Sequence, residues 1–125
     1  MTGLTSTVRG IDSGVVFELA GRLDHQTAPE VRRTLADIPL TAGQLLIIDL
    51  SGLTFCDSSG IAAFVVARNH AMAADATIAM AAVPAQVARV FRLIGLDRVL
   101  SAYPTAQAAS EEWTRTARRH RDHHQ

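Results

Sequence analysis

The chain reads as one α/β domain: a small mixed, mostly parallel sheet with an N-terminal β-hairpin and about four helices packed on it. Three observations predict this. Two runs of β-forming residues flank Ile11-Asp12-Ser13-Gly14, which is turn chemistry, so the first two strands form a hairpin. Strand-like and helix-like segments then alternate, the pattern of parallel strands joined by right-handed helical crossovers. Finally, 125 residues of which 48% are hydrophobic suffice for one core and argue against disorder.

The elements follow in order. Leu4 to Arg9 and Val15 to Ala20 are the hairpin strands, stopped by Gly10 and Gly21. Thr27-Ala28-Pro29-Glu30 is a capping-box pattern with proline in the first turn, and Val31, Leu35 and Ile38 recur at helical spacing behind it. Pro39 limits this helix. Leu45 to Leu50 is a continuous apolar run and reads as a buried strand, followed by a loop that carries Ser51, Gly52 and Thr54. A second helix starts near Ser58 and ends near His70, with Ile61, Phe64, Val65 and Met72 on one stripe.

Thr77 to Val83 is a fourth strand, weakened by its alanines. Pro84 opens a third helix, whose Val87, Val90, Phe91 and Ile94 share one face, and Gly95 ends it. Val99-Leu100 is a short last strand. The final helix spans Pro104 to about Ala117, with Ala108 and Trp113 as anchors. The domain is expected over residues 1–110, and residues 111–125 are expected to be the helix end and a polar Arg/His tail.

Composition narrows the function classes. Twelve basic and twelve acidic residues cancel, so nothing in the balance suggests a nucleic-acid or anionic-membrane partner. A single cysteine precludes an internal disulfide and fits a reducing cytoplasm. No apolar run approaches the roughly 20 residues that span a bilayer, and the start has no leader pattern. The expectation is a soluble cytoplasmic protein.

Candidate chemistry centres on Phe55-Cys56-Asp57-Ser58-Ser59-Gly60-Ile61, where a strand turns over into a helix. A helix N-terminus has spare N–H groups and a partial positive charge, so it tolerates an added anion. Ser58 therefore has two readings, a helix-capping residue or a phosphoacceptor. Local chemistry alone favours a cap, by Asp57 or Ser58. Gly60 either lets a partner's backbone approach or is a tolerated first-turn glycine. Asp24 and His25 would need an oriented nucleophile to act as a catalytic pair, and as spaced they read better as loop residues before a capped helix. Cys56 sits among apolar residues and reads as an inert thiol. The tail His120, His123 and His124 lack a regular metal-ligand spacing. No phosphate-cradling glycine loop and no Gly-x-Ser-x-Gly elbow is present. Neither a cofactor nor a metal is expected.

Two motifs carry a family resemblance. Gly21-Arg22-Leu23-Asp24-His25-Gln26-Thr27-Ala28 and Leu50-Ser51-Gly52-Leu53-Thr54-Phe55-Cys56-Asp57-Ser58-Ser59-Gly60 are similar, in sequence, order and separation, to those of STAS-domain anti-sigma factor antagonists of bacteria. Val87 to Leu96 agrees as well, and the likeness covers roughly residues 5 to 110. The resemblance implies a non-enzymatic binding protein with Ser58 as its phosphorylated residue. It implies a partner, an anti-sigma factor that is an ATP-dependent serine kinase. The unphosphorylated form would capture that partner and free the sigma factor; phosphorylation would block capture, and a phosphoserine phosphatase would restore it. Neither nucleic acid nor membrane is a partner in this scheme. Asp24, Asp57, Ser58, Ser59, Gly60 and Ile61 would lie at the docking surface. An interaction module of another signalling assembly is the alternative, and a serine hydrolase ranks behind both. Arg22 stands where the family often has an acidic residue, Cys56 where it has a larger apolar one, and Ala73-Ala74-Asp75 where it often has a Gly-Gly pair.

Overall fold

The computed structural model describes residues 3–122, with side chains through residue 117. Five strands form one sheet in the order β1-β2-β3-β4-β5. β1 (Leu4–Ile11) and β2 (Gly14–Leu23) are the antiparallel hairpin, and β3 (Leu45–Cys56), β4 (Thr77–Ala81) and β5 (Ser101–Tyr103) continue in parallel. The connecting helices are α1 (Ala28–Asp37), α2 (Ser58–Ala73) and α3 (Ala85–Ile94), and α4 (Ala106–Asp122) follows β5. The mixed sheet, its hairpin and its four helices are as expected. Spatial order equals sequence order, so every crossover steps one strand in the same direction. Crossovers of one hand then put α1, α2 and α3 on a single face.

Side-chain alternation divides the core accordingly. Phe17, Leu19, Leu46, Ile48, Leu50 and Met80 point into the layer with Val31 and Leu35 of α1, Phe64 and Ala67 of α2, and Val87 and Phe91 of α3. Their neighbours Val16, Leu45, Ile47, Ala79 and Ala81 point the other way, toward Ala109 and Trp113 of α4. The anchor on α4 is thus Ala109 rather than Ala108. None of the helices among the described residues is long and apolar enough to cross a membrane.

Three departures from expectation have local causes. β3 does not stop at Leu50 but runs to Cys56, because β2 also continues and pairs with it as far as Leu23↔Cys56. The pairing skips between Glu18↔Asp49 and Ala20↔Gly52 and again before Arg22↔Phe55, so β3 absorbs an extra residue twice as bulges. On α2 the buried residues are Gly60, Ala63, Phe64, Ala67 and Ala71. Small side chains let this helix pack closely, and Met72, placed by sequence on the stripe of Phe64, is 55% exposed. The last strand is Ser101–Tyr103, not Val99-Leu100: a one-turn 3-10 helix at Leu96–Arg98 precedes it, and Leu100 is drawn into the core.

The turn after α2 is built without glycine. Asp75 takes the left-handed conformation at φ 56°, which a short polar side chain tolerates better than most. Gly95 ends α3 at φ 80°, as its position suggested. His123 and His124 lie outside the described residues.

Candidate functional site

The C-terminal ends of β2 and β3 bring the two sequence motifs together. The Asp57 N–H donates to the Leu23 carbonyl at 3.2 Å, so the turn after β3 is pinned to the end of β2. Asp24 begins the neighbouring turn. Its carboxylate accepts from the N–H groups of Gln26 (3.0 Å) and Thr27 (3.1 Å), and its carbonyl accepts from Ala28 at 2.8 Å. Burial pushes the Asp24 carboxyl up, but the N–H groups of Thr27 and Gln26, the Thr27 hydroxyl and Arg22 together hold it below its ordinary pKa.

The capping box expected at Thr27 is not formed. The Thr27 hydroxyl turns back, donates to the Arg22 carbonyl at 2.9 Å and accepts from the Asp24 N–H at 3.0 Å. It therefore closes the β2–α1 turn instead of capping α1, whose N-cap position has no side-chain hydrogen bond.

Asp57 is the N-cap of α2. Its Oδ1 accepts from Ser59 N–H at 2.9 Å and Gly60 N–H at 3.2 Å, and its carbonyl accepts from Ile61 N–H at 3.1 Å. The expected loop before α2 thus shrinks to one residue. The N–H groups that were expected to tolerate an anion are occupied by Asp57. A phosphate on Ser58 would stand outside that cradle, beside a carboxylate, with its charge facing solvent.

Ser58 is exposed as the first residue of α2, and its hydroxyl has no hydrogen-bond partner among the described residues. The capping reading holds, with Asp57 as the cap, and this leaves the Ser58 hydroxyl without a hydrogen bond among the described residues. Ser59 and Ile61 are half-buried and Gly60 is buried. A Cβ placed on Gly60 would stand 2.6 Å from Cys56 Sγ and 2.8 Å from Leu23 Cγ, so its missing side chain lets α2 sit on the ends of β2 and β3. Gly60→Ala is expected to lower stability by about 1–2 kcal/mol, because overpacking against the buried Leu23 outweighs the gain in helix propensity. Urea denaturation checks this, and an unchanged or raised midpoint would contradict the packing role.

Asp57, Ser58 and Gln86 supply the polar wall of a groove of about 440 Å³ between the start of α2 and α3. Cys56 and Ile61 form one apolar side, and Val87, Val90 and Ile94 the other. Burial, and then the Asp57 charge, push the Cys56 thiol up to about 11. It is therefore a neutral thiol at physiological pH and a poor nucleophile. Sequence reasoning missed this groove. It placed Val90 and Ile94 on one face with Val87 and Phe91, whereas only the latter two are buried.

The remaining polar residues do not assemble a catalytic triad. His25 is exposed and has no hydrogen bond to Ser58 or Ser59 among the described residues. Arg22 lies over Phe55, with its Cζ 4.1 Å from the ring centroid, and its Nε is 3.8 Å from Asp24 Oδ2. No group of three His, Cys, Asp or Glu among the described residues is placed to hold a metal ion.

Comparison with known proteins adds to this geometry. The family model described as "Mlab, STAS domain" matches residues 6–101. The anti-sigma-B factor antagonist of Listeria monocytogenes is 28% identical over 82 residues, covering 66% of this chain and 72% of its own length. An anti-sigma factor antagonist from Mycobacterium paratuberculosis has the same fold, with a TM-score of 0.78 at 24% identity over 89% of this chain and 94% of that one. So has the phosphorylated form of the Bacillus cell fate determinant SpoIIAA, with a TM-score of 0.68 at 20% identity over 86% of this chain and 98% of that one.

Proposed function

The chain belongs to the STAS-domain family, and we propose that it is an anti-sigma factor antagonist whose binding is switched off by phosphorylation of Ser58. The observation that carries the reading is the placement of Ser58. It is exposed, its hydroxyl is free, and it borders an apolar groove beside a helix N-terminus already filled by Asp57. The relatives support it by what they are called: one is an anti-sigma-B factor antagonist, and another was solved as a phosphorylated form.

In this reading the unphosphorylated chain captures an anti-sigma factor, and a sigma factor is released. The anti-sigma factor is itself the ATP-dependent kinase of Ser58, and a phosphoserine phosphatase resets the switch in the cytoplasm. Asp24, Asp57, Ser59 and Ile61 surround the docking point, and buried Gly60 holds their backbone in place. Residues 1–110 carry the switch, and α4 continues beyond them to Asp122. The protein contributes no catalysis and no cofactor; its work is done by charge. A phosphate brings roughly −1.5 to −2 charges, and placing them in an interface costs desolvation and repels acidic neighbours.

Phosphosite mapping by mass spectrometry on protein from its native cells, in growth and under stress, tests this. The expected result is phosphate on Ser58 whose occupancy differs between the two conditions. Complete coverage of that peptide with no phosphate in either condition would leave a constitutive binding module in place of a switch.

A further inference from the structure

The solvent-facing side of α3 is chemically unlike the rest of the surface. Seven large apolar residues are exposed among those described, and four of them fall in one ten-residue stretch: Val90, Leu93, Ile94 and Val99. Leu93 is the extreme, at 77% exposed. α3 commits only Val87 and Phe91 to the core. Contiguous apolar surface of this kind marks an interaction site, whereas single exposed side chains do not.

Charge is also separated here. The whole chain balances twelve basic against twelve acidic residues. Yet α3 carries Arg89 and Arg92 and no acidic residue, and Arg98 follows in the next turn beside Asp97. All three arginines are exposed, and none is in an ion pair among the described residues. Arg89 lies one turn before Leu93, so its guanidinium and the Leu93 side chain share one face.

We infer that this face of α3, continuous with the Ser58 groove, docks an acidic amphipathic helix of the anti-sigma factor. The inference rests on the function proposed above and names the chemistry of its partner. The apolar stripe Val90, Leu93 and Ile94, at i, i+3, i+4 spacing and about 6 Å along the helix axis, fits the apolar face of a helix laid beside it. The unpaired arginines call for carboxylates on the flanks of that helix. A second copy of this chain does not supply them. By composition, α1 has two arginines to two acidic residues, and residues 111–122 have four arginines to three acidic residues. An anionic membrane would meet the same arginines but also press against Asp57.

The placement explains how the switch reaches its partner. Val90 and Ile94 line the groove that Ser58 also lines. A phosphate there would stand beside the incoming carboxylates and repel them, and it would compete with them for the arginines.

The test measures the affinity of the intact chain for the purified kinase that phosphorylates Ser58 in host extract, by calorimetry, with folding of each variant checked by circular dichroism. Leu93→Asp is expected to weaken binding roughly 30-fold or more, and Arg89→Glu roughly 10-fold, as for the central anchors of an interface. Met72→Asp, an exposed apolar residue outside the patch, should stay within about twofold. Wild-type affinity in both Leu93→Asp and Arg89→Glu, with Ser58→Asp unable to bind, would overturn the α3 inference and leave the switch standing. Loss of binding in Leu93→Asp with Ser58→Asp unaffected would do the reverse. Binding of the wild type to phosphatidylglycerol vesicles, or a dimer in sedimentation, would assign the face to another occupant and overturn the inference if Leu93→Asp abolished it.

Discussion

Ser58→Asp is expected to weaken capture of the anti-sigma factor at least about 100-fold, while Ser58→Ala binds like the unphosphorylated wild type and accepts no phosphate. A hundredfold is about 2.8 kcal/mol, within the several kcal/mol that like charges brought together in an interface cost. Aspartate carries less charge than phosphate, so the variant gives a lower bound on the effect of the modification. Alanine removes only a hydroxyl that makes no hydrogen bond among the described residues. The measurement is a titration of each variant against the kinase in the presence of a nucleotide. Equal affinities for the two variants would sink the electrostatic switch.

The fold should be indifferent to both changes, which separates lost binding from lost structure. An acidic side chain in the first turn of a helix is favourable by about 0.3–1 kcal/mol. Here Asp57 already occupies the N–H groups of Ser59 and Gly60, so repulsion between the two carboxylates offsets that gain. Thermal midpoints of Ser58→Ala and Ser58→Asp should therefore agree with the wild type within a few degrees. The same geometry would make a phosphate on Ser58 act outward. The cradle at the start of α2 is closed to it, so its charge is left for the partner to meet.

The chain's grammar was readable where one interaction decided the outcome. Val15 to Phe17 and Leu45 to Ile48 are unbroken apolar runs, and the strands they form are buried on both faces, one under α1 to α3 and the other under α4. Gly95 stops α3 because a left-handed residue is needed there. Reading failed where several interactions competed. Thr27 has the local sequence of a helix cap, but the Arg22 carbonyl and Asp24 N–H lie within its reach and take the hydroxyl. Ser51-Gly52-Leu53-Thr54 has loop composition, but the extended β2 offers it a ladder, and bulges absorb the mismatch. The site was legible at Asp24, Asp57 and Ser58, because a strand end and a capped helix start have local signatures. The α3 side of the groove was not. Val90 and Ile94 obey the same periodicity as the buried Val87 and Phe91, and periodicity cannot tell a core stripe from one left for a partner.

The largest loss of stability is expected from Phe64→Ala. Phe64 is fully buried on α2 and meets Phe91 of α3 edge to face, with ring centroids 5.8 Å apart and planes at 79°. Truncating a buried phenylalanine costs about 3–5 kcal/mol once the cavity is included, and the aromatic pair adds about 0.5–1.5 kcal/mol beyond its area. A domain of this size has about 5–15 kcal/mol in total, so the variant should melt roughly 10–20 °C lower. Phe64→Leu keeps most of the volume and should lose less than half as much. A drop of only about 1 kcal/mol for Phe64→Ala would mean that the site collapses around the vacancy. The functional consequence follows from what the two rings join. Phe64 is on the helix that begins with Ser58, and Phe91 is flanked on its own helix by Val90 and Ile94 of the groove. The pair holds the two walls at a set distance. Phe64→Ala, assayed at low temperature where it is still folded, should therefore also bind the anti-sigma factor more weakly than Phe64→Leu, although neither substitution touches the surface.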